Sequence, residues 1–258
     1  MQPWWSGFAP ELLGLLDEPF ELFLEKANGF ARARGLNTSQ GHTLQFVAQE
    51  ALSDESLAKG YEAFIAQTGD VPTRDLRHDR LNALVWLSAS RSKRRLNALH
   101  DRALHEARRA GAGRGALRDA LTLVDENLMV IACQAEDHEL RTLLENHNWQ
   151  AVFGEFRNAW GRQWQPFVFG HALLEKLNNA PFKAITAHCL LLVVEKAIAS
   201  WQELDEMLCK QLGPQLRSSQ LLALPVMGLP GWCEENASPE FYFDTKVFRP
   251  KRRPQEEA

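Results

Sequence analysis

Cysteine is scarce in this chain and never clustered. Cys133, Cys189, Cys209 and Cys233 are the four in 258 residues, with no Cys-x-x-Cys and no paired histidine spacing beside them. That pattern excludes a zinc module and a small disulfide-stapled scaffold, and leaves reduced thiols acting as small hydrophobes. Long apolar runs are also missing. The longest, residues 189–194, is flanked by His188 and Glu195 and falls far short of the roughly 20 residues a membrane-spanning helix needs. No Lys or Arg precedes the apolar residues of the N-terminus, and Asp17, Glu18 and Pro19 interrupt them early, so no signal peptide is expected. The expectation is a cytoplasmic protein with no membrane partner. There is no Gly-x-Ser-x-Gly elbow. The run GAGRG at residues 111–115 ends a helical pattern and precedes an extended one, the reverse of the order that phosphate-binding loops require.

What is present is ordinary for a globular fold. Hydrophobic residues make up 45% and charged residues 24%, enough to build a full core. The net charge of −4 is uneven, because residues 74–118 are strongly basic and the remainder is acidic. Such a segment suits an anionic ligand, or pairing with the acidic surface of its own chain. Its sharpest cluster is Arg91, Lys93, Arg94 and Arg95 at a helix start. A second basic run, Lys246, Arg249, Lys251, Arg252 and Arg253, lies near the C-terminus. The net acidity and the lack of any nucleic-acid module argue against nucleic acid as the partner.

Periodicity predicts helices over residues 11–16 and 20–27, with Pro19 opening the second. A helix through Tyr61, Phe64 and Ile65 is stopped by Gly69, and VPTRDLR reads as a loop. Helices follow over residues 78–87 and 93–109. Residues 119–124 and 128–133 read as two strands around Asp125-Glu126-Asn127, a β-hairpin near residues 118–134. Residues 140–160 read as helix, PFVFG as a strand feeding a helix that opens near His171, and residues 185–212 as helix broken near Ser200. The fold class expected is α+β: a predominantly helical single domain over residues 1–250 with a small antiparallel sheet, then a loose tail at 251–258.

Two pairs on predicted helices carry chemistry. His78 and Asn82 stand four apart, with Asp79 beside them, and can share one face. A histidine held by Asn or Asp is a general base or a metal ligand. His171 and Glu175 are also four apart, just inside a helix, a spacing that can present two ligands to one ion. His188 lies in the apolar AITAHCLLLVV segment, where a satisfied core histidine is the ordinary reading. Asp125 and Glu126 at a hairpin turn read as solvated.

Four blocks carry a family resemblance: VPTRDLRHDRLNALVWL with RSKRRLN; RDALTLVDEN; VFGHALLEKL with PFKAITAH; and LPVMGLPGW with FYFDTKVFRP. Their content and order resemble a family of uncharacterised bacterial proteins, the domain-of-unknown-function family 3025. The chain has Ala89-Ser90 where that family carries an aromatic-Pro pair, and Leu128 where it carries Gly. The resemblance implies no reaction and no cofactor.

The functional expectation is an enzyme acting on a small anionic substrate. His78, Asp79, His171 and Glu175 are the candidate catalytic residues, and Asn82, Lys93 and Arg118 the candidate ligand-binding ones. A divalent metal is the candidate cofactor, with His78, His171, Glu175 and His188 as candidate ligands. The competing expectation is a non-catalytic adaptor using the arm from GLPGW to VFRP, which would expose an apolar patch around Trp232 and Phe241.

Overall fold

The computed structural model describes residues 2–53, 58, 60–111, 113–134, 138–179 and 183–251. The chain opens with short helical turns and α1 (Pro10–Leu13), then α2 (Phe20–Ala33) after Pro19. β1 (Gln45–Ala48) pairs in parallel with β2 (Asp70–Thr73) across α3 (Tyr61–Thr68). Gly69 ends α3 in the left-handed region, at φ 84. A side chain there would meet the Thr43 carbonyl oxygen at 2.2 Å, so only glycine makes this turn.

The long helices follow: α4 (Arg77–Ser88), α5 (Ser90–Arg109) and α6 (Ala116–Asn127). α6 runs without a loop into β3 (Leu128–Gln134). Next come α7 (His138–Glu145), β4 (Trp164–Val168), α8 (His171–Asn178), β5 (Thr186–Val194), α9 (Trp201–Gln211) and β6 (Leu222–Pro225). The main sheet has the order β4-β3-β5-β6. β3 lies antiparallel to β4 and parallel to β5, and β5 lies antiparallel to β6. Residues 128–132 of β3 are fully buried, as expected for a central strand covered on both faces.

The α+β class is as expected, but the hairpin is not. Residues 119–124 belong to α6. Ala120, Leu121 and Val124 are buried, a three-and-four spacing that one helix face satisfies and a strand cannot. The sheet is therefore mixed rather than antiparallel. The first part of VPTRDLR is the parallel strand β2 rather than a loop. Residues 186–194 are β5 rather than helix; three of its leucine and valine side chains, Leu190, Leu191 and Val193, are only partly covered or exposed, Val193 by 52%, which blurs the alternation that marks a strand. The break at Ser200 is real, its hydroxyl accepting from the Glu203 amide to cap α9. Helix over residues 140–160 is confined to α7 and short π- and 3-10 turns. Residues 252–258, most of the expected tail, lie outside the described residues.

The C-terminal arm is packed down. Trp232 is buried against Trp4 at 5.9 Å between rings, and Phe153 stacks on Tyr242 with Phe248 edge-on to both. Phe241 is half-buried against Phe248. Among the described residues, no helix is long and apolar enough to cross a membrane.

Candidate metal centre

Three helix ends meet to form the site. His78 is the second residue of α4, His171 opens α8, and Asp125 and Glu126 close α6. Gly170 makes the meeting close. A methyl group on it would stand 2.5 Å from the Glu126 carbonyl oxygen and from the Leu128 amide nitrogen, and 2.6 Å from that of Asn127. Any side chain there would drive α8 off the end of α6.

His78 and His171 point their Nε2 atoms at each other, 3.0 Å apart, with ring planes inclined at 71°. The other nitrogen of each ring is committed. His78 Nδ1 lies 2.8 Å from Oε2 of Glu175, and His171 Nδ1 lies 2.8 Å from the backbone carbonyl oxygen of Asp125. Both partners accept, so each Nδ1 carries the hydrogen. In the neutral rings both Nε2 atoms then present lone pairs to the same point. Oε2 of Glu126 stands 3.5 Å from His171 Nε2. One ligand atom from each of His78, Glu126 and His171 lies within 4.8 Å of the others.

These distances suit a cation. Two nitrogens each about 2.0–2.1 Å from one ion are roughly 2.9 Å apart at a right angle and roughly 3.3 Å apart at the tetrahedral angle, and the observed separation falls between. The outer contacts, a carboxylate on one imidazole N–H and a backbone carbonyl on the other, are those that orient metal-bound histidines. The two histidines and one carboxylate would leave coordination positions free, as catalytic ions require. The His171 side chain is only 4% exposed, while Glu126 is 40% and His78 31% exposed, so the centre opens to solvent on the Glu126 and His78 side.

Electrostatics reinforce this arrangement. Burial pulls the His171 pKa down to about 4, and Lys93 and His78 push the same way against Asp125. The imidazole is therefore neutral and free to bind at physiological pH. Burial raises the Glu126 carboxyl, and the Asp125 charge raises it further. Burial alone would raise Asp125 as well, but the charge and hydrogen bond of Lys93 and the nearness of His171 outweigh it and hold Asp125 low.

Behind the histidines runs a buried polar chain. The Lys93 ammonium donates to Oδ1 of Asp125 and, at 2.8 Å, to Oδ1 of Asn82, while lying 5.3 Å from the Trp86 ring. Asn82 in turn donates from Nδ2 to the Tyr61 hydroxyl at 3.1 Å. Lys93 is 3% exposed, so it is no part of a solvated basic face. Asp125 links the two halves, its carboxylate on Lys93 and its carbonyl on His171.

The expected site residues divide accordingly. His78, His171 and Glu175 converge, and Asn82 and Lys93 stand behind them as an internal network. Glu175 is not in the group of close ligand atoms; it orients His78 from outside. His188 is also outside that group, and its Nδ1 faces Nδ2 of Asn127 at 3.1 Å. Asp79 is turned away, accepting from the backbone amide and the guanidinium of Arg74 at 2.8–2.9 Å. Arg118 lies two helical turns before Asp125 on α6, and its charge acts on His100. Asp125 and Glu126, expected to be solvated at a turn, are central. One signal marked them: two acids on the last turn of a helix oppose its dipole, a local conflict of the kind that functional sites tolerate.

The four sequence blocks contain every expected site residue and also Asp125 and Glu126, whereas Tyr61 and His100 lie outside them. The signature of a family described as protein of unknown function (DUF3025) matches residues 44–252. The chain belongs to the DUF3025 family. The match covers the whole centre of this DUF3025 protein, from Tyr61 through Glu175. No curated protein and no solved structure matches the chain.

Proposed function

We propose that this DUF3025 protein is a metal-dependent enzyme acting on a small anionic substrate. A divalent transition-metal ion would be held by Nε2 of His78, Nε2 of His171 and the Glu126 carboxylate. The observation that carries this reading is the meeting of two imidazole Nε2 atoms whose Nδ1 hydrogens are both already committed to acceptors. A cation between them turns a repulsion of lone pairs into two bonds. Two neutral imidazoles and one carboxylate leave a divalent ion with positive charge to share, so an anion is the complementary ligand at its open positions. The chemistry such an ion supports is polarisation of a substrate oxygen and ionisation of bound water near neutral pH. That points to hydrolysis or a related addition of water.

The same geometry supports a second reading, a metal-free acid/base pair in which one proton is shared between the two Nε2 atoms. Cobalt(II) titration of metal-stripped protein separates the two. One equivalent bound with visible d–d absorption, lost in His171→Ala, is expected of a metal centre. If the stripped protein binds neither cobalt(II) nor zinc(II) at micromolar concentration, the metal reading is wrong. A single proton titrating both imidazoles together by NMR would then support the pair.

A further inference from the structure

Tyr61 ends the buried polar chain with a hydroxyl hydrogen that the chain does not use. The direction of the chain fixes this. Lys93 can only donate, so the Asn82 atom at 2.8 Å from it is the carbonyl oxygen. The Asn82 amide nitrogen must then face Tyr61, and the phenolic oxygen accepts from it at 3.1 Å. The phenolic hydrogen is left over, with no acceptor among the described residues. The residue is 38% exposed. Desolvation of its hydroxyl, and the charges of Glu62, Asp125 and Asp79, raise its pKa, so it remains a donor throughout the physiological range.

The position of this donor is set by α4. Asn82 lies one turn beyond His78 on the same face, with side-chain origins about 5–6 Å apart. The phenol oxygen meets the amide nitrogen of Asn82, and Lys93 meets its carbonyl oxygen, so the phenol and Lys93 take opposite ends of the same amide. The phenol thus belongs to the residues that α4 carries beside the histidines, where a small oxyanion with one oxygen on an ion has a second oxygen to offer.

We infer that Tyr61 is a second point of attachment for the substrate, donating its hydroxyl hydrogen to one oxygen of a carboxylate or phosphate group whose other oxygen binds the ion held by His78, His171 and Glu126. The inference rests on the metal-centre reading above and narrows its substrate to the oxyanion class. Lys93 and Asn82 act as positioning residues, because they hold the phenol oxygen as an acceptor on its inner side and so turn its hydrogen outward. The Lys93 charge, neutralised by Asp125, does not itself contact the ligand.

The test uses the full chain loaded with cobalt(II), with inorganic phosphate, acetate and chloride as probes of its absorption spectrum. Phosphate or acetate should perturb the spectrum of the wild type, and Tyr61→Phe should bind that anion roughly 10–100-fold more weakly, the loss expected for one hydrogen bond to a charged group. Cobalt affinity should be unchanged in Tyr61→Phe. Chloride, which binds through one atom and cannot reach the phenol, should bind both proteins equally. Equal phosphate and acetate affinities in wild type and Tyr61→Phe would overturn the role of Tyr61 while leaving the metal centre standing. A spectrum that neither anion perturbs would overturn the oxyanion class. Failure of the wild type to bind cobalt would remove the centre itself, and the inference with it. An equal loss of chloride binding in Tyr61→Phe would show a general disturbance of the site and reject a direct contact.

Discussion

His78 and His171 meet Nε2 to Nε2 at 3.0 Å, although they are 93 residues apart in the chain and lie on different helices. Their burial differs sharply: the His78 side chain is 31% exposed and that of His171 is 4% exposed. His78→Ala should therefore cost the fold less than about 1 kcal/mol and abolish cobalt binding. Chemical denaturation of the metal-free proteins, set beside their cobalt titrations, checks both halves of this expectation. A His78→Ala protein that unfolds would make the residue a structural element and take away the more accessible of the two histidine ligands.

Lys93 and Asp125 form a buried pair, with side chains 4% and 14% exposed. Removing one partner strands the other charge in a poorly solvated place. Lys93→Met should destabilise the protein by about 3–5 kcal/mol. Lys93→Met combined with Asp125→Asn should recover a large part of that loss, because no unpaired charge remains. Urea unfolding of the two single variants and the double variant gives the coupling. Additive losses would mean that the pair does not interact as its geometry requires.

Gly170→Ala tests the junction that brings the helices together. The added methyl would face backbone atoms of Glu126, Asn127 and Leu128 at 2.5–2.6 Å, and backbone cannot turn aside as a side chain can. Overpacking of this kind costs about 1–3 kcal/mol or more. It would also displace His171 from the Asp125 carbonyl and from Glu126, so cobalt affinity should fall together with stability. Wild-type affinity in Gly170→Ala would show that the centre tolerates the movement of α8.

The legible part of this site lay in local spacing. His78 with Asn82, and His171 with Glu175, are helical neighbours in the sequence, and the strand-Gly-helix order around Gly170 was readable from PFVFGHALLEKL. What escaped was non-local. β3 and β5 pair in parallel, and the 51 residues between their ends contain no turn signal that announces the pairing. The half-covered outer leucines of β5 imitate a helical period. Asp125-Glu126-Asn127 resembles turn chemistry, which places the acids in solvent. The helical spacing of Ala120, Leu121 and Val124 contradicts that placement, and only once it is read as helix do the two acids stand out against the helix dipole. Tyr61 had no motif around it, because its role depends on a partner 21 residues away and on the direction in which Asn82 is turned.

His100 supplies a pH prediction away from the centre. It is 8% exposed, and burial lowers its pKa, with Lys93 and Arg118 adding to the shift and Glu62 and Asp125 opposing it. The folded-state value lies below that of the unfolded chain, near 6.5. The unfolded state therefore takes the proton first, and stability falls as pH drops below about 6.5. His171 and His188 are shifted in the same direction, so His100→Gln should reduce the loss without removing it. Urea midpoints at pH 7.5 and 5.5 measure this, and an undiminished difference in His100→Gln would assign the loss to the other two.

Glu126 and Glu175 both stand at the histidines, yet the geometry gives them different work. Glu126 offers its oxygen to the point where the imidazoles meet, whereas Glu175 holds the far nitrogen of His78 at 2.8 Å. A lost ligand removes a bond to the ion. A lost orienting partner only frees the ring to rotate and lowers its basicity, which typically costs 10–100-fold in metal affinity. Glu126→Gln should therefore weaken cobalt binding more than Glu175→Gln does, and should also change the d–d spectrum, because the donor set changes. Glu175→Gln should leave the shape of that spectrum intact at saturating metal. The reverse order, with Glu175→Gln altering the spectrum, would place Glu175 on the ion and Glu126 outside it. The pairing of His78 Nδ1 with Glu175 would then have to break when metal binds, freeing that carboxylate and leaving His78 to be held by the ion alone.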